Sequence, residues 1–177
     1  MNSTDDGSWR HIAVTRAIFW LNYDKHGTWE QKWDNANHLL QELRSTQNNQ
    51  AELSPLTFKA LFERLFASYR ELADWLWEDN TGLAKEAVLE YVYADPALRV
   101  CDALTQTCKH HNRSVNSKHD PITAWLSKVS SRGADARVRW ENRDRSIRGE
   151  SDALELAEQV ASAWLRYFER VGLVSDS

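Results

Sequence analysis

The side chains with chemistry to offer lie between Asp95 and Arg148. In the stretch DPALRVCDALTQTCKHHNR, helical spacing puts Ala97, Cys101, Leu104 and Cys108 on one apolar stripe, flanked by Val100. The opposite stripe carries Arg99, Asp102, Gln106, Lys109, His110 and Arg113, three or four residues apart, so neighbours can touch. A carboxylate, an ammonium and an imidazole on one face can move protons or hold a charged ligand. Asp102, Lys109 and His110 are the residues for that role, with Gln106 between them, although a solvated helix face shows the same types. Further on, Arg132, Arg137, Arg139, Arg143, Arg145 and Arg148 place six arginines in seventeen residues, with Trp140 among them and Trp125 upstream. Arginines interleaved with rings can hold phosphates and stack bases. The planar, multiply donating guanidinium suits an acidic protein surface equally well.

Other chemistries find less support. Cys108, His110, His111 and His119 are soft ligands close in sequence, but residues two apart on a helix point away from each other. No Cys-x-x-Cys or His-x-x-x-His completes a set, so neither a metal nor a cofactor is expected. Six glycines form no phosphate-cradling loop or dinucleotide fingerprint. Asp74, Glu78 and Asp79 cluster near a helix end and read as solvated acids. Cys101 and Cys108, about 10.5 Å apart along a helix, cannot join each other and read as buried thiols of a reducing compartment.

One short motif suggests catalysis. Arg113-Ser-Val-Asn-Ser-Lys-His119 fits an Arg-x4–6-His pattern that resembles the HEPN superfamily, helical proteins that include dimeric ribonucleases. The resemblance implies that His119 moves a proton, Arg113 stabilises phosphate charge and two copies meet in a homodimer. Here Ser114 stands where the family carries Asn, Asp or His, and Asp120-Pro121 follows at once, which favours a loop. Residues 55–174 are also similar to helical bacterial proteins of unknown function. They share a Pro-started helix ending in Lys-His, a hairpin, and a last helix with Trp and a terminal Gly-Leu. That likeness implies a bacterial source and a helical fold, with Asp102, Lys109 and His110 as the matching positions.

These groups must be positioned by a mainly α fold. The chain of 177 residues is read as a single domain, 1–177, a bundle of about five to six helices. A small antiparallel β-hairpin near 122–141 lies within an insertion of approximately 120–149. The run WRHIAVTRAIFWLNY to Tyr23 favours a first helix. Thr28-Trp29-Glu30-Gln31 is a capping box opening a second, with Trp29, Trp33, Ala36, Leu40 and Leu43 at helical spacing. Ser54-Pro55 starts the next, stapled by Leu53 and Phe58. Its stripe is Phe58, Leu61, Phe62, Leu65, Tyr69, Leu72 and Leu76, ending near Asn80. Trp75 and Trp77, off that stripe, predict a helix buried on two faces or, alternatively, a Trp that contacts a partner. A short helix from about Leu83 to Tyr93 leads to Asp95, which caps the central helix with Pro96 in its first turn.

After Arg113, ITAWLSKVSS and the alternation of Ala136, Val138 and Trp140 with Arg137, Arg139 and Glu141 predict two strands around a Ser-Arg-Gly turn. One hairpin face is then apolar, with Trp140 packing inward, and the other strongly basic. Ser151 is expected to cap the last helix, whose stripe is Leu154, Ala157, Val160, Ala161, Trp164 and Phe168. Gly172-Leu173 suits a left-handed end.

Nine Trp, five Tyr and five Phe make the chain 11% aromatic, and most of these rings are expected to fill the core. Lys109 to Arg148 holds ten Lys or Arg against four Asp or Glu, so this stretch is +6 and the rest −10 in a chain of net charge −4. Such segregation marks a partner or nucleic-acid surface, or pairs within the fold. No apolar run reaches the roughly 18 residues of a membrane span, and MNSTDDGSW does not open a secretory signal. The expectation is a cytoplasmic, non-catalytic interaction domain, an accessory or regulatory subunit of a bacterial complex docking through the Arg-rich hairpin. The alternative is a nucleic-acid-binding protein or a HEPN-like ribonuclease using Arg113 and His119.

Overall fold

A computed structural model describes residues 28–48, 54–79, 81–109, 122–129 and 136–174. The expected first helix to Tyr23, the Leu53 half of the staple and the Ser-Arg-Gly turn lie outside these residues. Among the described residues the order is α1 (Trp29–Asn48), α2 (Pro55–Glu78), α3 (Lys85–Ala94), α4 (Pro96–Lys109), β1 (Ile122–Lys128), β2 (Arg137–Asn142), β3 (Arg148–Asp152) and α5 (Ala153–Val171). The mainly helical architecture with a small antiparallel sheet is as the patterning predicts.

The helix ends follow local chemistry. Gln31 Oε1 accepts the Thr28 N–H at 3.0 Å, the returning arm of the capping box. Ser54 Oγ accepts the Thr57 N–H at 3.1 Å, with Pro55 opening α2. Asp95 Oδ1 accepts the N–H groups of Ala97 and Leu98 at 2.9 and 3.1 Å, so α4 is capped as expected. At the end of α5, Gly172 takes φ 74°, its N–H donating to Glu169 O and that of Leu173 to Phe168 O, which makes a Schellman end. The start of α5 differs by one residue from expectation. Asp152, not Ser151, caps it, accepting from Leu154 and Glu155 N–H at 2.9 and 3.2 Å. A carboxylate at the positive helix end outcompetes the neighbouring hydroxyl.

The core forms where the apolar stripes meet. Phe58, Phe62, Leu65, Tyr69, Leu72 and Leu76 of α2 are buried against Leu39, Leu40 and Leu43 of α1. Cys101 and Leu104 of α4, Val138 of β2 and Trp164 and Phe168 of α5 complete it. Trp29 packs on Phe168 with ring centres 4.9 Å apart, and Trp33 meets the same ring edge-on at 5.1 Å. Trp75 and Trp77 are half-buried against the core, so α2 does bury a second flank. Lys32 and Lys85 lie over these two rings at 5.1 and 4.8 Å. The acids near the end of α2 are not simply solvated. Asp79 Oδ2 accepts the Trp29 N–H at 2.8 Å, fixing the start of α1 on the end of α2, and Asp74 pairs with Arg70.

The sheet has one strand more than the predicted hairpin. β1, β2 and β3 form an antiparallel meander in that order, pairing Trp125 with Arg139 and Arg139 with Glu150. β3 runs directly into α5, and Ala153 N–H donates to Ala136 O at 2.9 Å. Period-2 alternation sends Ile122, Ala124, Val138 and Asn142 into the molecule and Thr123, Arg137 and Arg139 to solvent.

Candidate functional site

On the core face of the sheet, Trp140 lies across Gly149, its partner in register. A Cβ at residue 149 would sit 2.9 Å from Trp140 Nε1 and closer still to the benzo ring, so only glycine leaves room for the indole. Trp140 is half-buried against the core, and the expectation that it packs inward holds. Trp125, on β1, borders a cleft of about 250 Å³ with Phe62 and Phe66 of α2 and Leu104 of α4.

The solvent face is not strongly basic, which corrects the expectation from alternation. Pairing with a third strand sets an acid opposite each arginine of the β2–β3 ladder. Arg139 is ion-paired with Glu150, Arg148 stands opposite Glu141, and Arg137 stands opposite Asp152. Alternation within β2 could not reveal this, because β3 supplies the compensating charge.

The cations gather instead at the β2–β3 turn, residues 143–147, where Arg143, Arg145 and the adjoining Arg148 are exposed. This turn is tied down by Asn142, which is 3% exposed. Its Oδ1 accepts the Ile147 N–H and its Nδ2 donates to Ser146 Oγ, both at 2.9 Å. The Asn142 N–H donates to Ile147 O at 2.9 Å, and the Arg145 N–H to Asn142 O at 3.1 Å. Asp144 Oδ1 accepts the Ser146 N–H at 3.0 Å, and hydrogen bonds from the Ser146 backbone and hydroxyl hold its carboxyl below the usual range. Within this network Arg145 takes φ 61°, a left-handed conformation that costs a non-glycine residue roughly 1–2 kcal/mol. Its Nε lies 3.5 Å from Glu141 Oε2. Ile147, 40% exposed, stands at the base of the turn opposite Asn142, with both its N–H and its C=O engaged. Neither Asn142 nor Ile147 stands out in the sequence, although Asn-Arg-Asp-Arg-Ser carries turn-forming side chains.

The polar stripe of α4 divides. Asp102 is 2% exposed, not on a solvated face. The Arg70 Nε donates to its Oδ1 at 2.7 Å, and Arg70 Nη1 lies 3.3 Å from Asp74 Oδ1. Burial works against the charged guanidinium, yet Asp102 and then Asp74 outweigh it and raise the Arg70 pKa. A guanidinium reaching from α2 thus draws Asp102 into the interface, where it locks two helices. Beside it, burial and then the Asp102 charge push the Cys101 thiol well above its ordinary value, so it stays protonated and inert. Gln106 is half-buried. Lys109 ends α4 but its side chain lies outside the described residues, as do His110, Arg113, His119 and Arg132.

Among the described residues, no three His, Cys, Asp or Glu side chains come together to hold a metal ion, and no helix is long and apolar enough to cross a membrane. No family model, curated protein or solved structure matches the chain.

Proposed function

We propose that this chain is a non-catalytic interaction domain, an accessory or regulatory subunit of a cytoplasmic bacterial complex, that docks on an acidic protein surface through the β2–β3 turn. The observation that carries the proposal is the construction of that turn. A buried asparagine holds it from below, Arg145 is kept in a left-handed conformation, and an isoleucine is displayed between Arg145 and Arg148. Strain of this kind persists where surrounding contacts over-determine it, and it is concentrated at sites of function. Because the backbone is already ordered, a partner gains the guanidinium contacts without the cost of fixing a loop. An exposed isoleucine with arginines on either side of it in the chain has the composition of an interface centre.

Protein suits this face better than nucleic acid. Glu141, Asp144 and Glu150 are interspersed with the arginines, so a regular row of phosphates would meet carboxylates between its cations. A protein surface of mixed charge can match both signs. The test is capture on the immobilised full chain from nuclease-treated extract of its own host, in parallel with the variant Arg143→Glu/Arg145→Glu/Arg148→Glu. A protein retained in stoichiometric amount by the native chain and lost from the variant is the expected result. Retention of that protein by both, or recovery of nucleic acid alone from untreated extract, would refute the proposal.

A further inference from the structure

A second surface lies toward the end of α5 away from the sheet. There a cleft of about 250 Å³ runs between α3 and α5, with Leu83, Ala87, Tyr91 and Ala94 on one wall and Tyr167 and Val171 on the other. Its floor is the ring pair Tyr91 and Tyr167, centres 4.5 Å apart. Tyr167 follows Ala153 by fourteen residues, about 21 Å along the helix, which separates the cleft from β3.

The composition of α3 calls for cover on this side. Seven of its ten residues are apolar or aromatic. Val88 and Val92 take the inner side and are buried. Leu83, Ala87, Tyr91 and Ala94 recur every three or four positions on the outer side, where Ala87 and Ala94 are exposed. A helix that is apolar on both sides is ordinarily buried on both. The small side chains of Ala87 and Ala94 also let another helix approach closely.

Charge indicates what the cover is. Glu90 and Arg170 border the cleft from opposite walls, both exposed, and among the described residues neither is ion-paired. Burial pushes the Tyr91 and Tyr167 phenols above their ordinary value, and the Arg170 charge opposes this at both, so the guanidinium stands near both rings. Glu86, exposed one turn before Glu90, adds to the acidic wall. An acid on one wall and a cation on the other make the surface self-complementary. About a two-fold axis, the acidic wall of one copy meets the cationic wall of the next, and the same contact forms twice. A small ligand fits less well, since the Tyr91 hydroxyl is already engaged with Ala163 O at 2.8 Å.

We infer that the α3–α5 cleft is the interface of a two-fold symmetric dimer of this chain, in which each copy sets Glu90 against Arg170 of the other and covers the Ala87–Tyr91–Ala94 stripe. Sedimentation velocity on the full chain tests this. The native chain should be a dimer at about 100 μM. Arg170→Glu and Glu90→Arg, both at exposed positions, should each weaken self-association at least about tenfold, because like charges then meet at both contacts. An equimolar mixture of these two variants should recover the dimer, because unlike charges then meet at both contacts, a rescue that only contact between copies can give. The turn variant Arg143→Glu/Arg145→Glu/Arg148→Glu should dimerise as the native chain does. A native chain that is monomeric at about 100 μM, single variants that dimerise as the native chain does, a mixture that stays monomeric, or a dimer lost from the turn variant would each overturn the inference.

Discussion

Replacing Asn142 by Ala removes the support of the proposed docking turn, and its cost can be worked from the hydrogen bonds. Two side-chain bonds are lost, to the Ile147 N–H and to Ser146 Oγ, while the backbone bond from Asn142 N–H to Ile147 O remains. At about 0.5–1.5 kcal/mol net for each bond, the loss is about 1–3 kcal/mol. Freed from its network, Arg145 can leave the left-handed region, returning roughly 1 kcal/mol. A net destabilisation centred on about 1 kcal/mol and no larger than about 2 kcal/mol follows. With a urea slope near 2 kcal/mol/M, the midpoint should fall by roughly 0.5 M, and by no more than about 1 M, with the slope unchanged. Asn142→Asp is the control, since its carboxylate still accepts from Ile147 N–H and can accept from the Ser146 hydroxyl, so it should cost less. The same alanine variant should weaken partner capture, because the arginines would then be presented on a mobile loop. A change below about 0.5 kcal/mol together with undiminished partner capture would show that the turn does not depend on Asn142.

Asp102→Ala should cost about 1.5–3 kcal/mol, because the Arg70 guanidinium loses its nearer carboxylate and keeps only Asp74. The Asp102→Ala/Arg70→Ala double variant should cost clearly less than the two singles together, and additivity within about 0.5 kcal/mol in urea titrations would deny the coupling. For Cys101 the folded pKa is raised, so the unfolded chain loses its thiol proton first and stability falls as pH rises through about 8.5. By pH 10 the native protein should have lost about 2 kcal/mol more than Cys101→Ala, and parallel pH profiles would contradict this. Gly149→Ala should cost about 1–3 kcal/mol by displacing the Trp140 indole, with a change in tryptophan emission, and an unaltered protein would mean the ring does not lie over residue 149.

Most helix boundaries were legible because they are written in neighbouring residues: Ser54-Pro55, Asp95-Pro96, Gly172-Leu173 and the Thr28–Gln31 box each act within one turn. What the sequence concealed was set by residues far away in the chain. β3 is Arg148-Gly-Glu-Ser-Asp, with no apolar alternation, and exists because β2 offers it an edge and Trp140 covers its glycine. Without β3 the arginines of β2 look unopposed. Asp102 is polar and sits one position from the buried stripe, so its burial follows from Arg70, thirty-two residues earlier on another helix. Asn142 gave a turn signal, but its role depends on a closure with Ile147 that pairing of the two strands creates.

The claim that the β2–β3 turn is the docking face is tested most directly by arginine footprinting. The intact chain is treated with phenylglyoxal alone and within the complex captured from its host, and modification is read at each arginine. The account predicts that Arg143, Arg145 and Arg148 become protected several-fold in the complex, while Arg170, exposed near the far end of α5, reacts equally in both. Unchanged modification at all three turn arginines would contradict it.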